Sequence, residues 1–134
     1  MNALELRLAM NVRDFARSVD FYETLLGMAR ITAWHDEGDG PGIILRIGPG
    51  RTLELFGAPY AEPDAPPVGG GFAIVIQVDD VDAWHDRLTA AGVSIARGLV
   101  DNPWGDRSFG VVDPDGVRIW FNQVTDPAYA AQLG

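Results

Sequence analysis

Few side chains in this sequence can do covalent or metal chemistry. It has no cysteine and no lysine, so its ten basic residues other than histidine are all arginine. Thiolate nucleophiles, thiolate metal sites, disulfides, Schiff bases and a phosphate-loop lysine are therefore out of reach. Ser18, Ser94 and Ser108 lie in no GxSxG elbow and have no recognisable histidine partner. The two histidines, His35 and His85, belong to neither an HxH nor an HExxH pattern. The first falls in a strand and the second in a helix between Trp84 and Asp86, and each reads most simply as a surface or capping histidine. Flat aromatic surface is more plentiful, with four tryptophans at 34, 84, 104 and 120. Stacking on such a face contributes about 0.5–1.5 kcal/mol beyond burial. The chemistry on offer is recognition more than bond-making.

The elements that must position these residues come as a repeat. Asn11-Val12-Arg13-Asp14-Phe15 and Gln77-Val78-Asp79-Asp80-Val81 each follow an alternating strand and open a helical segment, at an offset of 77 − 11 = 66 residues. Leu53-Glu54-Leu55-Phe56 stands against Ile119-Trp120-Phe121-Asn122 at the same offset, 119 − 53 = 66. In the first module Leu4, Leu6, Leu8, Met10 and Val12 alternate with polar or small residues, which predicts a half-buried strand. Asp14 is placed to cap a helix whose apolar face is Phe15, Val19, Tyr22 and Leu26, with Gly27 at its end. Strands are expected near 29–35, 42–48 and 51–57. The second module repeats the plan. A strand carries Phe72, Ile74, Ile76 and Val78. Asp80 caps a helix with Val81, Trp84, Leu88 and Ala91 on its apolar face and Gly92 at its end, one residue out of step. Strands follow near 93–99, 106–112 and 117–123, and Asp113-Pro114-Asp115-Gly116 makes a tight turn between the last two.

The expected fold class is α+β, with two tandem βαβββ modules at 3–57 and 71–123 in a single domain. A linker at 58–70, rich in proline and ending in glycines, has polyproline character, and a tail at 124–134 adds a helical turn with Asp126 as cap and Pro127 first. The 134 residues, 47% of them hydrophobic and 22% charged, suffice for a real core and argue against disorder. A net charge of −9 repels nucleic acid and anionic membranes and favours a neutral or cationic ligand. No apolar run approaches the roughly 18 residues that span a bilayer, and Met1 leads straight into a strand pattern, so the cytoplasm is the expected location.

Ser18-Val19-Asp20-Phe21-Tyr22 with Leu26-Gly27, and Pro103-Trp104-Gly105-Asp106-Arg107-Ser108-Phe109 with Asp113-Pro114-Asp115-Gly116, carry a resemblance. In this order, within the double repeat, they resemble the glyoxalase I, bleomycin-resistance and extradiol-dioxygenase superfamily, or vicinal oxygen chelate fold. The bleomycin-resistance-like branch is the most similar. The resemblance implies a curled mixed sheet around a concave pocket, and a homodimer. The superfamily hosts lyases, isomerases, dioxygenases and drug-binding proteins, so function has to be argued from the site.

The enzymes of that superfamily place a metal ligand on the first and last strand of each module. The matching positions here are Arg7, Glu54, Ala73 and Trp120, and only Glu54 offers a good ligand. The resemblance therefore implies no metal and no other cofactor. Arg7 and Glu54 are placed to form a cross-strand ion pair on the pocket floor. Trp120 puts an indole where a ligand atom would be. Strand parity adds Thr52, Phe56, Val75, Gln77, Arg118 and Asn122 to the same lining. Trp104 is expected at the rim, Trp84 in the core, and Trp34 on an edge-like strand that does not fix its facing. The expected ligand-binding residues are thus Trp120, Arg7, Glu54, Phe56, Trp104, Asn122, Gln77 and Trp34. The function that follows is sequestration of an antibiotic or natural product, a peptide or planar aromatic drug, without catalysis. The alternative is a lyase, isomerase or dioxygenase-like enzyme with an atypical or metal-free site using Glu54.

Overall fold

A computed structural model describes residues 1–35, 40–60 and 71–133. The turn expected at 37–42 lies partly outside these residues, and the linker expected at 58–70 lies mostly outside them. The chain divides into two compact units, Met1–Gly69 and Gly70–Gly134.

Unit 1 contains β1 (Leu6–Asn11), α1 (Phe15–Val19), β2 (Ala29–Trp34), β3 (Gly42–Gly48) and β4 (Arg51–Phe56). Its sheet has the order β1-β4-β3-β2, and β1 runs parallel to β4. Unit 2 contains β5 (Ala73–Gln77), α2 (Val81–Ala90), β6 (Ile95–Asn102), β7 (Asp106–Val112) and β8 (Arg118–Val124), followed by α3 (Pro127–Leu133). Its sheet has the order β5-β8-β7-β6, with β5 parallel to β8. The class is α+β. The mixed sheet is divided: two four-stranded sheets form, one per unit, because in each the first strand pairs with the last strand of its own module.

The 66-residue offset extends to register. Arg7 pairs with Thr52 and Ala73 with Arg118, while Ile44 pairs with Glu54 and Gly110 with Trp120. Both helices start the same way: Asp14 accepts the amide of Arg17 at 3.1 Å and Asp80 that of Ala83 at 3.0 Å. They differ in the middle. After Val19 the first helix widens into a π-helical stretch, Asp20–Leu25. Such a widening absorbs one extra residue, which explains why Gly27 and Gly92 are one residue out of step. Both glycines have positive φ, 72° and 79°.

One apolar face of each sheet packs under its helix. In unit 1 Met10, Ile43, Leu45, Leu53 and Leu55 are buried with Tyr22 and Leu26. In unit 2 Phe109, Val111, Ile119 and Phe121 are buried with Val81 and Leu88. Trp84 is half-buried and stacks on Phe121, its ring 5.6 Å away. His85 is no simple surface residue, since its ring edge packs on Phe109 at 5.1 Å. Two expectations fail here. Ala91 is the exposed C-cap of α2 and not part of its apolar face. Leu4, Leu6 and Leu8 are exposed, and burial on this strand begins at Met10.

Candidate functional site

Paired residues of neighbouring strands project to the same side, so register decides which residues share the face away from the helix. In unit 1 that face carries Arg7, Ala9 and Asn11 on β1, and Thr52, Glu54 and Phe56 on β4. Ile44 and Gly42 of β3 join it, as does Trp34 of β2, which pairs with Gly42. The Trp34 indole packs against Gly42, where an added Cβ would clash with its ring atoms. It meets Phe56 at 6.4 Å between centroids. The facing that the sequence left open is thereby fixed, and Trp34 and Phe56 form an aromatic corner.

Arg7 and Glu54 do meet, with Nη1 of Arg7 donating to Oε2 of Glu54 at 3.4 Å. The stronger bond is one that sequence reasoning missed. Arg7 Nε donates to Glu5 Oε1 at 2.7 Å, and the Thr52 hydroxyl donates to the same oxygen at 3.2 Å. The bond from Arg7 holds the Glu5 carboxyl below the ordinary glutamate range, and the bond to Glu5 holds the Arg7 guanidinium above its own. Arg7 is thus clamped between two carboxylates. Half-exposed pairs of this kind contribute little to stability. What the clamp supplies is a fixed orientation of charge on this face.

In unit 2 the corresponding face carries Ala73, Val75 and Gln77 on β5, and Arg118, Trp120 and Asn122 on β8. Ser108 and Gly110 of β7 pair with Asn122 and Trp120. Trp120 packs against Gly110 as Trp34 does against Gly42, and again an added Cβ would clash with the ring atoms. The guanidinium carbon of Arg97 sits over the indole, 5.6 Å from its centroid. That distance suits a cation–π contact. The indole expected in place of a ligand atom therefore carries an arginine, and a stacked ligand must displace Arg97 or lie against it. Trp104 is the third residue of the turn Asn102-Pro103-Trp104-Gly105, closed by a bond from the Gly105 amide to the Asn102 carbonyl at 3.1 Å. Its side chain is 54% exposed, as a rim position requires.

Beside Trp120 lies a buried polar corner of which the sequence indicated only Asn122. Asn102 Nδ2 donates to Asp106 Oδ1 and to Ser108 Oγ, both at 2.8 Å. Asn122 Nδ2 donates to Asp106 Oδ2 at 3.0 Å. Arg97 Nη2 donates to Asn102 Oδ1 at 2.9 Å and ties the corner to the tryptophan. Asp106, Ser108 and both asparagines are buried, and Asn122 Oδ1 accepts no hydrogen bond within the described chain. Leaving a buried acceptor unmet costs about 1–3 kcal/mol.

A model of the Glyoxalase/Bleomycin resistance protein/Dioxygenase superfamily matches residues 6–121. The chain belongs to this superfamily. No curated protein matches it significantly. Among solved structures, a glyoxalase/bleomycin resistance protein/dioxygenase superfamily member from Sphaerobacter thermophilus has a TM-score of 0.76 and 24% identity, over 91% of this chain and 98% of its own. TnmS3, an antibiotic binding protein from Streptomyces sp. CB03234, has a TM-score of 0.72 and 28% identity, over 90% and 95%. A lactoylglutathione lyase from Agrobacterium tumefaciens has a TM-score of 0.67 and 20% identity, over 91% and 94%, a likeness of fold alone.

The metal ligands of the superfamily's enzymes can be tested against these residues. Among the described residues no three of His, Asp and Glu converge. Glu54 is engaged by Arg7, whose guanidinium has no lone pair to give. Trp120 covers Gly110, and Ala73 has no ligand atom. This donor set does not fit a divalent ion, which needs about three protein ligands in a catalytic site.

Proposed function

We propose that this member of the glyoxalase/bleomycin-resistance superfamily binds a small molecule without transforming it, and sequesters an antibiotic or natural product with a planar aromatic group. The observation that carries this is the replacement of a metal-donor set by a recognition surface. An indole packs against Gly110, a second packs against Gly42, and Glu54, the one good ligand among the four matching positions, is paired to Arg7. Rings packed closely against glycine backbone are held in place before a ligand arrives, which lowers the ordering cost of binding. The 28% identity to a protein described as antibiotic binding supports the same reading. The proposed binding residues are Arg7, Glu54, Phe56 and Trp34 in unit 1, and, taken separately, Trp120, Trp104, Asn122 and Gln77 in unit 2. A homodimer acting in the cytoplasm belongs to the same proposal.

The test is a tryptophan-fluorescence titration with chelator present, against peptide and planar aromatic antibiotics. Saturable quenching at micromolar concentration or below, with the compound recovered unchanged by mass spectrometry, is the expected result. Turnover of a bound compound would favour the enzymatic alternative built on Glu54.

A further inference from the structure

We propose that the buried corner of Asp106, Asn122, Asn102 and Ser108 is an anchoring subsite for a protonated amine on the bound molecule. This rests on the small-molecule reading above and gives it a ligand chemistry.

The two asparagine amides are fixed by what they touch. Each gives its Nδ2 hydrogen to one oxygen of Asp106, at 2.8 and 3.0 Å. Turning either amide over would set a carbonyl oxygen against the carboxylate, so both carbonyl oxygens are assigned by chemistry. The two then differ. Asn102 Oδ1 receives Arg97 at 2.9 Å. Asn122 Oδ1 receives nothing from the described chain, although Asn122 is only 8% exposed. Asp106 also has capacity to spare, since a carboxylate offers about four lone-pair sites.

The acceptor capacity left over, two lone pairs on Asn122 Oδ1 and the spare ones of Asp106, exceeds the donors left over, which are the Ser108 hydroxyl hydrogen and the second Nδ2 hydrogen of Asn122. An anionic group would face the Asp106 carboxylate, and a neutral hydroxyl brings one hydrogen. An ammonium brings up to three and a charge. The charge matters because Asp106 is buried and, among the described residues, has no cationic partner; the nearby Arg97 bonds to Asn102 instead. A net charge of −9 attracts cations to the molecule as a whole.

The repeat shows that this corner is a particular feature of unit 2. At the 66-residue offset Ser108 corresponds to Gly42 and Asn122 to Phe56, which belong to the aromatic corner of unit 1. The same place in the fold is aromatic in one module and acid-amide in the other.

The probes are 2-naphthylmethylamine, 2-naphthylmethanol and 2-naphthoate, with methylamine as the cation alone. Each is titrated into the full-length 15N-labelled chain and followed by proton–nitrogen correlation spectra. The expected result is that the amine binds at least tenfold more tightly than the alcohol, with the naphthoate weakest, and shifts the side-chain amide signals of Asn122 and Asn102. Asp106→Asn should remove the gap between amine and alcohol. The wild-type comparison stands even where that variant does not fold. Should the alcohol shift the Trp120 indole signal while the amine shows no preference and leaves Asn122 still, the subsite is wrong and the aromatic reading survives. Should methylamine shift Asn122 while no naphthyl probe reaches Trp120, the subsite survives and the aromatic reading fails. Silence from all four overturns both.

Discussion

Two glycines decide what the two site-face tryptophans can do. Gly42 and Gly110 each pack against an indole at a spot where a methyl group would clash with the ring atoms. Gly110→Ala should cost about 1–3 kcal/mol, the usual penalty for overpacking, and should lift Trp120 off the sheet. Urea unfolding measures the first effect and the tryptophan emission spectrum the second. Trp120→Ala should instead spare the fold and weaken binding of a planar ligand by roughly 1–3 kcal/mol. Unchanged affinity would remove Trp120 from the site. The residue scale is also where the sequence was least legible. Parity along β8 correctly put Trp120 and Asn122 on one face. It could not show that Arg97 covers the indole, because register shifts on both sides of Arg97 break the period of two along β6. Asp106 and Ser108 read as ordinary strand residues until pairing brings them to Asn122.

At the scale of elements the repeat carried most of the information. One offset predicted two modules of the same plan with helices opened by equivalent aspartates; the aspartates do cap both helices, and the shared register of the two sheets is what the structure adds. Asp14→Ala and Asp80→Ala should each lower stability by about 1 kcal/mol, as loss of an N-cap does, with chemical denaturation as the measurement. The misfit of one residue at the helix ends was visible in the sequence, but its resolution as a π-helical stretch was not. Propensity alone does not say where a helix stores an extra residue. The stretch carries Glu23, which receives both Nε and Nη2 of Arg30, at 2.6 and 2.8 Å, and so ties the helix to β2. The bond from Arg30 lowers the Glu23 pKa below the ordinary glutamate range. A carboxylate depressed in the folded state stabilises it above the unfolded pKa, and the effect is lost as pH falls through the folded one. Glu23→Gln should therefore melt lower than wild type at neutral pH, and the difference should vanish at acid pH. High salt should shrink it too, because the pair is exposed. A melting difference that persists below the carboxylate range would assign it to packing instead.

At the scale of the molecule, the sequence and the structure disagree most at the start of the chain. Alternation from Leu4 to Val12 correctly predicted a strand with one apolar side, but period two cannot say what covers that side. Leu4 is 96% and Leu6 77% exposed, and Leu8 is exposed as well. They sit at and before β1, which among the described residues is an edge strand of its sheet. Apolar side chains beside an open edge are a liability that proteins cover or pair. The homodimer proposed above supplies a cover, with a second copy as the occupant. Sedimentation velocity should then give twice the mass of one chain, and Leu6→Glu should shift the population to the single-chain mass while leaving the circular dichroism of the folded state in place. The second measurement matters because Leu6 makes little of the core, so a variant that dissociates without unfolding separates assembly from folding. A wild-type chain that stays monomeric at high concentration would refute the dimer, and the drug-binding reading would then require each chain to complete its site alone.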